Sequence, residues 1–377
     1  MTKFLLFCIL FFIPAFVLAD TVGQTGVTAA DPAVQVLIDE LGLREAKVAS
    51  RDLPGWRPPK KVVVRQGSPG QLAEYQALAP AVEFVEVDSI ETARKEAVDA
   101  QVVLGICDGE MLDSSPELFW IQVYSAGVEH CLEYPGMHKG NKLLTNGQRI
   151  GSPALAEHAI AMMMMLARGM DVYYANQLKG EWQQQTELDR TDHMELAGRT
   201  LLVVGLGGIG TQVAMRGHGL GMRVIATRSS RREGPDYVAY VGLADELNEL
   251  AAQADVVINT VPLTAETLGI FNKAFFDAMK PEGFFISVGR GASTVTDDLV
   301  AALQSHAIAG AGLDVTDPEP LPKGHPLWSM PRVIITPHTA GRSDKGRDRL
   351  YLMVKENLRR YVAGEPMLSV VDIERGY

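Results

Sequence analysis

Apolar and polar positions along the chain fall into repeating short blocks. From Lys61 onward, apolar runs too short for helices alternate with longer amphipathic stretches. Lys61–Arg65, Ala81–Val87, Val102–Ile106, Phe119–Tyr124 and Leu143–Asn146 predict strands, with helices over Gln71–Leu78 and Ile90–Val98 between them. A second set of strands is predicted at Leu201–Val204, Arg223–Ala226, Val256–Asn259, Gly283–Val288, Gly310–Val315 and Val333–Ile335. Strands that alternate with helices build parallel sheets covered on both faces, so the fold class is α/β with two such units. Ser152–Met170 reads as one long helix containing Met162 to Met165. It is taken as a buried core helix rather than a cofactor or metal box. Arg342–Ala363 predicts a last helix that returns to the first unit.

One stretch organises the second unit: Leu201-Leu202-Val203-Val204-Gly205-Leu206-Gly207-Gly208-Ile209-Gly210. An apolar strand runs into G-x-G-x-x-G, and Thr211 to Arg216 can continue as a helix. Gly205 permits the tight turn, Gly207 lets backbone approach a pyrophosphate, and Gly210 lets the helix pack close to the sheet. The helix N-terminus offers free N–H groups and positive dipole to phosphates. The strand before and the helix after give the motif the context it needs.

Composition narrows the function. The chain of 377 residues carries a formal net charge of −11 and is 47% hydrophobic, which suits a globular protein of about two domains and argues against binding nucleic acid. Cys8, Cys107 and Cys131 have no metal-ligand spacing, and no metal site is expected. At most one disulfide could form in the mature chain, because Cys8 lies in the leader; Cys107 and Cys131 are read as buried free thiols in preference to that. Residues 1–19 look like a signal peptide: Lys3, an uncharged run from Phe4 to Ala19, then a cleavage point before Asp20. A retained membrane anchor is the alternative. Residues 20–60 read as an extension with a short helix from Pro32 to Leu43 and a linker-like Leu53–Pro59, without assignable chemistry.

Three polar groups stand just after predicted strands, where open α/β sheets place ligands. Arg290 follows Phe284–Gly289, Glu319 follows Leu313-Asp314-Val315, and His338 follows Val333–Pro337. An arginine fork grips a carboxylate, a histidine transfers protons, and a glutamate orients the histidine. Each alone has a bland reading as a surface, loop or capping residue.

With these residues goes a set of motifs: Ser125-Ala126-Gly127-Val128, Ala156-Glu157-His158, Leu196–Thr200 before the glycine loop, Ala254–Thr264, Val288–Ala292, Leu313-Asp314-Val315 with Glu319-Pro320, and Pro337-His338. From about Lys61 to Gly364 the chain resembles the D-isomer-specific 2-hydroxyacid dehydrogenases. The resemblance implies two doubly wound parallel-sheet domains. A Rossmann dinucleotide-binding domain, 151–341, is inserted into a flavodoxin-like substrate domain, 61–150, completed by 342–377. It places catalysis on Arg290, Glu319 and His338, and substrate-carboxylate binding on Ser125, Ala126, Gly127 and Arg290. Cofactor contacts fall on Gly205, Gly207, Gly208, Ile209, Gly210, Arg228, Ser229, Val261, Pro262, Val288, Gly289, Asp314, His338 and Gly341. The implied reaction is hydride transfer between NAD(P)H and a small 2-oxo acid such as glyoxylate or hydroxypyruvate, in a homodimer that binds no membrane once its leader is removed. Glu319, present where the formate dehydrogenase branch carries glutamine, disfavours that branch.

Two departures from the family pattern stand out. An acidic residue usually ends the strand after the glycine loop, to accept the ribose hydroxyls. Here Thr227 leads into Arg228-Ser229-Ser230-Arg231-Arg232, which points to NADP, with NAD as the alternative. The leader implies export, periplasmic or secreted, away from the cytosolic cofactor pool; a cytoplasmic or membrane-anchored enzyme is the alternative. A dinucleotide-sensing or scaffold protein on the same fold is the other functional class.

Overall fold

The structure, a computed structural model, describes residues 31–183 and 193–376; the expected leader and the rest of residues 1–30 lie outside them. The first sheet contains β1 (Lys61–Arg65), β2 (Glu83–Val87), β3 (Val102–Leu104), β4 (Trp120–Gln122) and β5 (Leu143–Thr145). All are parallel, in the order β2-β1-β3-β4-β5. β3, β4 and β5 are buried along their length, as expected when helices cover both faces.

The covering helices are α1 (Pro32–Leu41), α2 (Gln71–Leu78), α3 (Ile90–Glu96), α4 (Gly109–Ser114) and α5 (Glu129–Leu132). Asp31 caps α1 by accepting from the Ala33 N–H at 2.9 Å, and Pro32 starts the helix where its missing N–H costs nothing. The stretch read as an extension is packed into this unit. Val34, Leu37, Leu41 and Leu43 join a core with Tyr75, Trp120, Met353 and Tyr361. Glu45 pairs with Leu368 in an antiparallel bridge.

α6 (Ser152–Ala167) and α7 (Met170–Lys179) replace the single helix expected over Ser152–Met170, because Gly169 turns left-handed (φ 62°) between them. Met162 and Met163 are buried among Val203, Val213 and Ile286, while Met164 is exposed, so only the first half of the methionine run is core. The second sheet holds β6 (Thr200–Val204), β7 (Arg223–Thr227), β8 (Val238–Gly242), β9 (Val256–Asn259), β10 (Phe284–Ser287), β11 (Gly310–Leu313) and β12 (Val333–Ile335). Its seven parallel strands run β12-β11-β10-β9-β6-β7-β8. β8 escapes the apolar pattern because Ala239 and Tyr240 face solvent at the sheet edge. The helices of this unit are α8 (Gly208–Gly219), α9 (Leu247–Ala251), α10 (Lys273–Ala278) and α11 (Thr296–Gln304). α12 (Gly346–Ala363) returns to pack on α1 and α2. Among the described residues no helix is long and apolar enough to cross a membrane.

The cysteine expectation is corrected. Cys107, after β3, and Cys131, in α5, form a disulfide with their Cα atoms 5.7 Å apart. The two positions are 24 residues apart in sequence. Only the packing of α5 beside the end of β3 brings them together.

Candidate active site

In the second sheet the strand order reverses between β6 and β9, which opens a crevice at their carboxyl ends. β6 enters Gly205 at φ 94°, a conformation that favours glycine. A methyl group on Gly210 would collide with the Gly205 carbonyl, so α8 approaches the strand closely. Nothing lies within 4 Å of where a Cβ on Gly207 would sit, and that face of the loop is open. α8 starts at Gly208, earlier than the expected Thr211, with no side-chain cap and no acidic residue in its first turn. Gly208, Ile209 and Gly210 thus present an uncapped helix start to any anion above it.

The loop is tied on both sides. The Gly205 N–H donates to Thr227 Oγ1 at 3.3 Å, and the Leu206 N–H to the Thr227 carbonyl at 2.9 Å. On the other side Thr260 Oγ1 donates to the Gly205 carbonyl at 2.7 Å. Val261 packs against Gly205, and a methyl on Gly289 would lie 2.7 Å from the Val261 carbonyl. Val261, Pro262, Val288 and Gly289 are therefore gathered at the same edge as the glycine loop. Asn259, not singled out in the sequence, holds them: its amide donates to Ser287 and Ser293, and it accepts from the Val261 N–H at 3.1 Å.

Arg228 leaves β7 beside this loop. It is half-buried, and its Nε is buried without a hydrogen-bond partner. Burial lowers its pKa, with Arg231 and Arg44 pushing the same way. An unpartnered buried guanidinium nitrogen beside an uncapped helix start fits a phosphate-bearing cofactor. Ser229 is exposed next to it. Arg232, expected to help, is engaged elsewhere: it pairs with Glu246 at 2.7 Å and donates to Tyr240 Oη at 2.9 Å.

His338 sits after β12 at φ 52°, with its N–H donating to the Asp314 carbonyl at 2.9 Å. Its Nδ1 donates to Glu319 Oε1 at 2.6 Å, which leaves Nε2 to face a substrate. Asp314, named from the motif as a cofactor contact, is buried and fully engaged. It accepts from the Thr336 hydroxyl at 2.5 Å and from the Thr339 and Ala340 N–H groups at 2.9 and 3.0 Å. One carboxylate thus holds the Thr336 side chain before His338 and the backbone after it. His158 Nε2 reaches Thr336 Oγ1 at 2.9 Å and steadies the same loop from α6. Gly341 ends the loop against the start of α6, its carbonyl 3.5 Å from where a Cβ on Gly151 would sit.

Arg290 crosses to the first sheet. A methyl on Gly127 would collide with Arg290 Nη2, so the guanidinium lies against the Ser125–Val128 loop. That loop follows β4 and is braced by Ser125 Oγ on the Gly127 carbonyl (2.7 Å) and Asn146 Nδ2 on the Ala126 carbonyl (2.6 Å). Ser125, Ala126, Gly127 and Arg290 therefore lie together, with Glu129 Oε2 also against Gly127. Glu129 was not foreseen; it pairs with Arg290 Nε at 2.9 Å. Its only signal was its position beside the loop.

Residues 160–340 match the family model described as the NAD binding domain of D-isomer specific 2-hydroxyacid dehydrogenases. A glyoxylate/hydroxypyruvate reductase A of Photorhabdus laumondii is 34% identical over 275 residues, 71% of this chain and 84% of that protein. The chain belongs to this family. The D-2-hydroxyacid dehydrogenase fold is shared with an NADPH-dependent glyoxylate/hydroxypyruvate reductase from Sinorhizobium meliloti, solved with NADP and sulfate. Its TM-score is 0.71 at 27% identity, over 84% of this chain and 100% of that one. A D-lactate dehydrogenase from Aquifex aeolicus, complexed with NAD and lactic acid, has a TM-score of 0.66 at 27% identity. The match covers 80% of this chain and 96% of that one. As a D-2-hydroxyacid dehydrogenase, this chain is an NAD(P)-dependent oxidoreductase that interconverts 2-oxo and 2-hydroxy acids.

Proposed function

We propose that this dehydrogenase works as an NADPH-preferring reductase of a small 2-oxo acid of the glyoxylate or hydroxypyruvate class. The observation that carries the cofactor preference is Arg228: half-buried at the end of β7, with an unpartnered Nε. An acidic residue there would accept from ribose hydroxyls and repel a 2′-phosphate; an arginine reverses that sign. The names of the relatives support the substrate class.

The Ser125–Val128 loop and the Arg290 guanidinium hold the substrate carboxylate. A bound reduced nicotinamide supplies hydride to the substrate's C2. His338 gives the proton to the carbonyl oxygen from Nε2, while Glu319 holds Nδ1 and orients the ring. The clamp by Asp314 fixes where that proton is offered.

The test is kcat/KM for NADPH and NADH at one ionic strength, for the unchanged enzyme and for Arg228→Asp, on glyoxylate, hydroxypyruvate and pyruvate. Preference for NADPH by about tenfold or more is expected, moving toward NADH in the variant mainly through KM. An unchanged enzyme that favours NADH defeats the reading.

Export and a homodimer belong to the same proposal. The Cys107–Cys131 disulfide supports an oxidising compartment. A mature N-terminus at Asp20, found by N-terminal sequencing, is the expected result; an intact Met1 in a soluble cytosolic fraction contradicts it. Met170, Tyr174 and Leu178 recur every four residues along α7 and are exposed, as is Trp182 beyond it. This stripe supports a second copy as partner, and sedimentation equilibrium decides it.

A further inference from the structure

Arg149 lies in the turn between β5 and α6, outside every motif that marks the family. Its backbone is left-handed (φ 71°). Its side chain runs across the start of α8. A Cβ on Gly208 would lie 2.8 Å from Arg149 Cγ, so Arg149 fills the space a side chain at 208 would need. At its far end Nη1 donates to the Leu41 carbonyl at 3.3 Å. Leu41 ends α1, so the segment before the first sheet reaches the cofactor loop of the second.

Three residues further along that segment is Arg44. Its position is set by backbone: the Ser369 N–H donates to its carbonyl at 2.8 Å, and Glu45 bridges to Leu368. The side chain is exposed. Burial pushes the Arg149 pKa down to about 10, and Arg44, Arg228 and Arg231 all push it the same way. The four cations are near enough to act on one another, and Arg149 is placed among them by its contacts with Gly208 and Leu41. Arg232, one residue on from Arg231, is neutralised by Glu246. Among the described residues, Arg44, Arg149, Arg228 and Arg231 have no carboxylate within the 4.0 Å of an ion pair, although Glu233 acts on Arg228 from farther away. Four like charges gathered without counter-charge repel one another, and a dianion placed among them relieves that repulsion.

We propose that Arg44 and Arg149 form the second half of the adenosine 2′-phosphate site, closing an arginine ring begun by Arg228 and Arg231. This rests on the NADPH reading above and adds to it the parts of the chain that deliver the ring. One arginine comes from the segment before β1 and one from the β5–α6 turn, so the phosphate is held by both layered units. Arg149, anchored on Leu41 and half-buried beside Gly208, supplies a donor that is already ordered.

The test uses the full mature chain, Arg149→Met and Arg44→Ala. Methionine keeps the aliphatic stem against Gly208, and Arg44 is exposed, so both variants are expected to fold; thermal unfolding checks this. Dissociation constants are measured by calorimetry for adenosine 2′,5′-bisphosphate and by cofactor fluorescence for NADPH and NADH. Each variant is expected to weaken adenosine 2′,5′-bisphosphate and NADPH about tenfold while moving NADH less than about twofold. Arg149→Lys restores part of the loss. Equal weakening of NADPH and NADH assigns Arg149 to the diphosphate and overturns the inference. So does an unchanged affinity for all three ligands in an enzyme that prefers NADPH. An unchanged enzyme that binds NADH more tightly overturns the NADPH reading first, and this inference with it.

Discussion

Arg290 Nε donates to Glu129 Oε1 at 2.9 Å, across 161 residues of sequence. Arg290 Nη1 donates to the Gly289 carbonyl at 2.9 Å. Two of the three guanidinium nitrogens are thus fastened to the protein, and Nη2 is turned toward Gly127, where the substrate carboxylate is to be held. Glu129 is a positioning residue for the grip. Glu129→Ala is expected to raise KM for the 2-oxo acid about tenfold, with a smaller change in kcat and none in NADPH affinity. A lower KM would instead make Glu129 a competitor for Arg290.

His338→Ala is expected to lower kcat by about 10²–10⁴ while leaving NADPH affinity intact, because only the proton donor is removed. Stopped-flow turnover and cofactor fluorescence measure the two separately. A variant that keeps more than about a tenth of kcat would exclude His338 as the acid.

Glu319→Gln keeps the shape of the Nδ1 contact and removes its charge. Without the charged acceptor the Nδ1 contact weakens and the ring is held less firmly, so kcat for reduction should fall about tenfold with little change in NADPH affinity. The split between kcat and cofactor affinity is the readout. A kcat that does not fall removes Glu319 from this role.

The Cys107–Cys131 disulfide anchors α5, the short helix that carries Glu129. A crosslink spanning 24 residues contributes about 3 kcal/mol in the chain-entropy account. Cys107→Ser with Cys131→Ser is expected to lower Tm by roughly 5–10 °C and to raise KM for the oxo acid more than it lowers kcat. Calorimetry and steady-state kinetics check both, and a KM that does not move separates the disulfide from the site.

Asp108 caps α4, accepting from the Met111 N–H at 3.0 Å and from both Arg94 Nε and Nη2 at 2.8 Å. The Arg94 hydrogen bonds hold its carboxyl below the usual range against the opposing effect of burial, and the Met111 N–H helps. A folded-state pKa below the unfolded one means stability that is full above about pH 4 and lost as pH falls through the folded value. Tm measured against pH should show this loss in the unchanged chain. Asp108→Asn should be less stable at neutral pH and show a shallower acid limb; parallel curves would refute the assignment.

Strands and the glycine loop were legible because their causes are local. Val62-Val63-Val64 must be strand and buried wherever they lie in a parallel sheet, and Gly205 must take a positive φ for β6 to turn into α8. The strand ends were read too long, as at Val102–Ile106 against β3, because apolar residues continue past the last ladder bond. The long helix over Ser152–Met170 broke at Gly169 for a backbone reason that apolar periodicity does not register. Arg290, Glu319 and His338 were legible because each follows a strand, and strand ends converge on the crevice.

The sequence by itself therefore determined the two parallel sheets, the cofactor loop and the residues that end strands, because alternation and glycine dihedrals act over a few residues. Tertiary structure alone decided which distant groups meet. It placed Glu129 on Arg290, joined Cys107 to Cys131, turned Arg232 onto Glu246 and laid Arg149 between Gly208 and Leu41. Such contacts depend on the packing of whole elements, where a shift of a few ångströms makes or breaks a hydrogen bond, and nothing local in the chain encodes them.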